Sequence, residues 1–198
     1  MLGFGHPEDP RRHPRSPLAR AFGALGVHPP GPQHRLPLLL FSAFLVSLAL
    51  ASVRHALLHS GAYDLGIFDQ AVFLISRWQR PLSSFVGMHI LGDHGAWILY
   101  VLAPLYWIKA DVHWLFALQA GALVMGAWAV HQLANSSGVQ PRLTRILVFA
   151  YLLQPILFNV NLFDFHPETL AVPALLWAVA FARSNHRWWF FQIGRAHV

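Results

Sequence analysis

"LPLLLFSAFLVSLALASV", residues 36–53, runs eighteen positions without a charge between Arg35 and Arg54. A helix rising 1.5 Å per residue needs about 20 residues to cross the hydrocarbon core of a bilayer, so this run predicts a first membrane span over residues 36–57. Two further charge-free runs, residues 114–130 and 146–163, predict spans over 113–133 and 145–163. The run 169–182 is shorter, and it can cross only if its polar start sits in a protein cavity. It gives a fourth expected span, 168–183. The expected fold class is therefore all-α, a polytopic transmembrane helical bundle of about four spans, with a membrane domain over residues 36–192.

Composition agrees with a lipid environment. The chain is 56% hydrophobic and 11% charged, well below the roughly 25% charged residues of soluble domains. Its formal charge is +6, but the basic residues lie in the N-terminal tail and at the ends of apolar runs rather than in one patch. That pattern sets membrane orientation and argues against nucleic acid as a partner. The absence of cysteine excludes disulfides, thiolate metal sites and a Cys nucleophile.

Residues 1–35 hold seven of the fourteen prolines and five arginines without a sustained apolar period, which predicts a disordered basic cytoplasmic tail. The end of the chain, Ile193 to Val198, reads IGRAHV. A possible coding sequence for it, ATC GGA AGA GCA CAC GTC, resembles read-through into a sequencing adapter. On that expectation residues 193–198 are a scar and the chain is a truncated fragment of a longer protein.

The segment from Gly95 to Ile108 carries Pro104 and the aromatics Trp97, Tyr100, Tyr106 and Trp107, a composition suited to the membrane interface. If it does not cross, residues 58–112 form one long extracytoplasmic loop with interfacial helices. Arg142, Arg145, Arg183 and Arg187 then fall on the cytoplasmic side with the N-terminus, as the positive-inside rule requires. All six acids outside the tail, Asp64, Asp69, Asp93, Asp111, Asp164 and Glu168, fall on the opposite side. Carboxylates sharing a cavity repel unless a cation or proton offsets them, so the cluster implies a metal, a cationic partner or a carboxylate held as a base.

Three stretches carry these groups. In "GAYDLGIFDQA", residues 61–71, Asp64 precedes apolar positions Leu65, Phe68, Ala71, Val72, Ile75 and Trp78 at helical spacing, so Asp64 is either a helix N-cap or a site residue. Residues five apart on a helix differ by about 140°, so Asp64 and Asp69 are expected to have different roles. In "HILGDHGAW", His89, Asp93 and His94 offer nitrogen and oxygen ligands for a metal. In "NLFDFHPETLAVP", Asn161, Asp164, His166 and Glu168 stand between two apolar runs. Pro167 suits the first position of a helix, with His166 near the N-cap and Glu168 in the first turn. No phosphate-binding glycine loop and no nucleophile elbow occurs.

Taken together, "YDLGIFDQA", "HILGDH" followed by "LAPLYWI", and "NLFDFHPETLAVP" resemble the domain of unknown function 2079 family (DUF2079) of predicted multispanning membrane proteins, grouped with the GT-C glycosyltransferases. The resemblance implies the N-terminal part of a GT-C-like enzyme in the inner or plasma membrane, using a sugar carried on a polyprenyl phosphate. It implies a catalytic carboxylate in the first extracytoplasmic loop, which Asp64 matches, with Asp69 as a second candidate. Leu65 stands where many GT-C enzymes have an acid adjacent to the first. In the chemistry so implied, Asp64 takes the acceptor proton and Asp164, His166 and Glu168 assist. Tyr63 and Asn161 line the substrate, and Arg77, Arg80 or a divalent metal meets the departing phosphate. The alternative is a non-enzymatic polytopic protein, a transporter or a metal- or proton-handling module, using the same acids as a pathway.

Overall fold

The computed structural model describes residues 32–183. By internal contacts the chain divides into two units, Met1–Leu38 and Leu39–Val198. The described part of the first is only the opening turns of α1. Expectations for the rest of the tail and for the scar at residues 193–198 lie outside the described residues.

The described residues are helical, and their only β pairing is an isolated bridge between Leu82 and His89. Helix α1 is Pro32–Ala56, so it begins inside the stretch read as tail. A segment of short helices follows: α2 Leu65–Ser76, α3 Ile90–Asp93, α4 Ile98–Leu102 and α5 Leu105–Ile108. Then come α6 His113–Ser136, α7 Pro141–Leu152 and α8 Pro155–Phe163, a 3-10 turn Pro167–Leu170, and α9 Ala171–Arg183.

Three helices are long and apolar enough to cross a membrane: Arg35–Ala56, His113–Ser136 and the joined Pro141–Phe163. The expected fourth span is represented among the described residues by the 3-10 turn and the 13 residues of α9. The stretch 98–108 is shorter than a crossing helix requires. Ala103 and Pro104 divide it into two short helices, α4 and α5.

The third run is interrupted where the sequence reading left it whole. Pro155 has no N–H to give the carbonyl of Tyr151, and its ring clashes with that carbonyl in a continuous helix. The chain turns instead, with Gln154 N–H donating to Tyr151 O at 3.2 Å, and α8 restarts at Pro155.

Helix α6 is the central element, packing along α7 and α9 and touching α8 and the 3-10 turn. Among its buried residues are the small Ala120, Ala122, Ala127, Ala129 and Ala134, which let helices approach closely. At Gly126 the approach is closest: an added Cβ would overlap the Tyr151 hydroxyl, with the ring Cζ at 2.7 Å and Leu176 Cδ1 at 3.3 Å. That hydroxyl donates to Leu123 O at 3.0 Å. Gly126→Ala will therefore push α7 from α6 and cost about 2 kcal/mol, in the range of overpacked cores. Unfolding in a detergent titration measures it, and an unchanged midpoint would show that Tyr151 can move aside.

The larger apolar core lies among α2, α4, α5 and the start of α6. Phe68, Val72, Ile90, Leu99, Leu115 and Phe165 are almost wholly buried there. The α2 positions read as one apolar face do pack inward up to Ile75, but Trp78 lies beyond the helix and is 86% exposed. The loop segment is thus a packed platform against the end of α1, the start of α6 and the corner after α8.

Candidate functional site

Asp164 follows the last residue of α8 and has φ 121° and ψ 175°, backbone territory that glycine alone occupies readily. Holding another residue there costs about 1–3 kcal/mol, so its surroundings must enforce it. They do so at three points. Oδ1 accepts from Arg54 Nη1 at 2.6 Å, Oδ2 accepts from the Gly61 N–H at 2.7 Å, and the Asp164 carbonyl accepts from Gln119 Nε2 at 2.8 Å. The Asp164 side chain is 3% exposed and both its oxygens are engaged. A carboxylate so committed is a structural anchor rather than a free base.

Gln119, buried on α6, organises the rest of the loop. Its Nε2 also donates to Val160 O at 3.0 Å, while its Oε1 accepts from the His166 N–H at 2.9 Å and from Thr169 Oγ1 at 3.3 Å. The 3-10 turn begins after His166 with Pro167 in its first position and an exposed Glu168 in its first turn, as the spacing predicts.

Asp64 is brought to this cluster. A Cβ on Gly61 would stand 3.4 Å from Oδ2 of both Asp164 and Asp64, so the two carboxylates flank one glycine. Asp64 occupies the N-cap position of α2 but makes no side-chain cap bond. The capping reading fails because its φ and ψ, −82° and −72°, are already helical rather than the extended values of a capping residue. Its side chain stays 43% exposed, with Oδ1 3.8 Å from His166 Nε2. That separation suits an ion pair and is too long for a direct hydrogen bond. The His166 ring is held between Phe163 and Phe68, with centroids at 5.3 and 5.9 Å.

Asp69 belongs to a cleft of about 600 Å³ that reaches Gly61 and also takes in His55, Ser60, Tyr106, Asp111 and His113. The Tyr106 hydroxyl donates to Asp69 Oδ1 at 2.5 Å. Burial first, then the hydrogen bond and charge of Asp69, push the Tyr106 phenol well above its usual range. Asp111 accepts from Lys109 Nζ at 2.5 Å and pairs with His113 Nδ1 at 2.6 Å. The Lys109 bond, then those from His113, hold its carboxyl well below the usual range. A raised phenol stabilises the fold fully below the unfolded value near pH 10 and loses that contribution as pH rises. Tyr106→Phe will therefore flatten the alkaline fall in stability above about pH 10 and lower stability at neutral pH by about 1.5 kcal/mol. A pH series of thermal unfolding checks both, and an alkaline limb unchanged in the variant would refute the assignment.

The other candidates are scattered. Tyr63 is 62% exposed, its ring 5.7 Å from Phe85. Asn161 donates to Ser47 O at 2.9 Å and leaves Oδ1 buried without a partner. It lines an apolar groove of about 400 Å³ with Val46, Leu50, Leu123, Phe149 and Phe158. Arg77 and Arg80 follow the far end of α2, a helix of 12 residues and so about 18 Å long, and do not join Asp64. The metal reading of His89, Asp93 and His94 is not met by their geometry. His89 Nδ1 accepts from the Leu91 N–H at 3.2 Å as the N-cap of α3, and Asp93 pairs with His94 at 2.8 Å. No group of three His, Cys, Asp or Glu able to hold a metal occurs among the described residues.

Sequence reasoning missed Arg54, Gly61 and Gln119. Arg54 had a signal: it is a cation at the acid-bearing end of the first span, against the charge bias that set the topology, and so needed a partner. Gln119 had a weaker one, being a polar residue inside an apolar run.

A family model described as a predicted membrane protein (DUF2079) matches residues 54–195, which includes every residue of this cluster. No curated protein and no solved structure matches the chain.

Proposed function

The chain belongs to the DUF2079 family of predicted membrane proteins, and from that premise we propose that it is part of a GT-C-like membrane glycosyltransferase. It transfers a sugar from a polyprenyl phosphate donor at the extracytoplasmic face of the cell membrane, its N-terminus being cytoplasmic. The observation that carries this reading is Asp64: an uncapped, half-exposed carboxylate beside His166, on a scaffold that fixes its neighbour Asp164.

Asp64 accepts the proton of an acceptor hydroxyl as its oxygen bonds to the anomeric carbon. The bond from that carbon to the phosphate oxygen breaks, and the lipid phosphate leaves with the electron pair. The lipid phosphate is already a competent leaving group, so the demands on the protein are a base and nearby positive charge. The His166 imidazole, 3.8 Å from Asp64 Oδ1, is the candidate for that charge in place of Arg77 and Arg80, Arg54 being committed to Asp164. Among the described residues the donor set does not fit a bound metal, since no three His, Asp or Glu side chains come together to hold one.

Two placements support the reading. The crossing-length helices carry no Asp or Glu among the described residues, whereas a transport pathway would place acids within them. The groove beside Asn161 is apolar and one helical turn from Asp164, which suits a prenyl chain. The test is transfer of label from a panel of polyprenyl phosphate sugars by the full-length protein in proteoliposomes. Transfer from at least one donor is expected, and a folded protein inert toward all of them would refute the proposal.

A further inference from the structure

The far end of α2 carries a second polar constellation, which the sugar-transfer reading does not use. Trp78 has φ 58°, uncommon for a bulky side chain and costly to hold, and its ring is 86% exposed. It lies 6.1 Å from the Trp107 ring, inclined at 30°. Trp107 is fixed in turn, its Nε1 donating at 2.7 Å to the Ser76 carbonyl, one of the acceptors left over where α2 ends. The two tryptophans border a groove of about 390 Å³ completed by Arg80, His89, Tyr100 and Pro104.

The groove is cationic and unsatisfied. No acid lines it, and Arg80 is exposed and in no ion pair among the described residues. Beside it Arg77 rests over the Phe73 ring, 5.5 Å from the centroid. Because His89 Nδ1 accepts the Leu91 N–H, its ring proton is on Nε2, a second donor bordering the groove. The surroundings are apolar: Trp97, Val101 and Ile108 on the neighbouring short helices are 69–75% exposed. Exposed aromatics interleaved with arginines suit the headgroup level of a bilayer, where the guanidinium can grip phosphate oxygens and the rings rest against glycerol and acyl carbons.

We propose that this groove binds the phosphate of an anionic phospholipid headgroup, seating the loop platform on the membrane surface. The site is independent of Asp64 and does not need the protein to be an enzyme.

The test uses the full chain in phosphatidylcholine nanodiscs containing a small fraction of brominated phosphatidylglycerol, against the same fraction of brominated phosphatidylcholine. Tryptophan quenching reads proximity. Quenching by the anionic lipid should exceed that by the neutral one by about fivefold, the factor expected for one arginine near an anionic surface. The excess should vanish in Arg80→Gln and in a Trp78→Phe/Trp107→Phe double variant, the latter showing that the signal comes from this groove. Equal quenching by the two lipids, or a preference that survives either variant, overturns the proposal. Relief of quenching by soluble glycerol phosphate would assign the groove to free anions and overturn the lipid assignment.

Discussion

Asp64→Asn will reduce sugar transfer by the full-length protein about 10²- to 10⁴-fold, the usual contribution of a positioned general base. The amide keeps the shape of the carboxylate and removes its proton affinity. Folding should be untouched: the side chain is 43% exposed, makes no cap bond, and its ion-pair contact is the long one to His166 at 3.8 Å. Thermal unfolding of the variant should stay within about 0.5 kcal/mol of the parent, as for other exposed substitutions. The separation of the two readouts is the test. Normal transfer removes Asp64 from the mechanism, and lost transfer with lost stability would make it a structural residue.

Arg54→Gln should do the reverse, destabilising the fold by about 3 kcal/mol whatever the protein's activity. It leaves the Asp164 carboxylate buried with only the Gly61 N–H against its charge, and it leaves a costly backbone conformation at residue 164 with one of its three restraints gone. Asp164→Asn should cost less, because the Arg54 side chain is 27% exposed and can turn to water. The double variant should be less destabilised than the sum of the singles, since the pair acts as one unit. Detergent unfolding of all four chains measures this. Additive effects would mean the ion pair contributes nothing specific.

Much of the fold was legible because lipid imposes a crude length requirement, which residues 36–53 and 114–130 meet by composition alone. The gathering of Asp64 with Asp164 followed from counting charges at run ends and is visible at Gly61. What was not legible depended on local backbone geometry. Pro155 divides a run that composition reads as continuous. Asp64 and Asp164 look equivalent as letters, yet one is half open and the other closed by Arg54, a distinction set by φ and by partners far away in the chain. His89 offers a ligand nitrogen in the sequence and spends it on the Leu91 amide in the fold.

Arg54 and Asp164 are 110 positions apart, so their bond has a consequence for biosynthesis. A chain made from its N-terminus delivers Arg54 and Asp64 to the membrane long before Asp164 is translated. Until then the arginine has no Asp164 to meet and the strained corner does not yet exist. The locking of this pocket is accordingly among the last events in making the described part of the molecule. A ribosome halted before residue 164 would leave the loop platform without that closure.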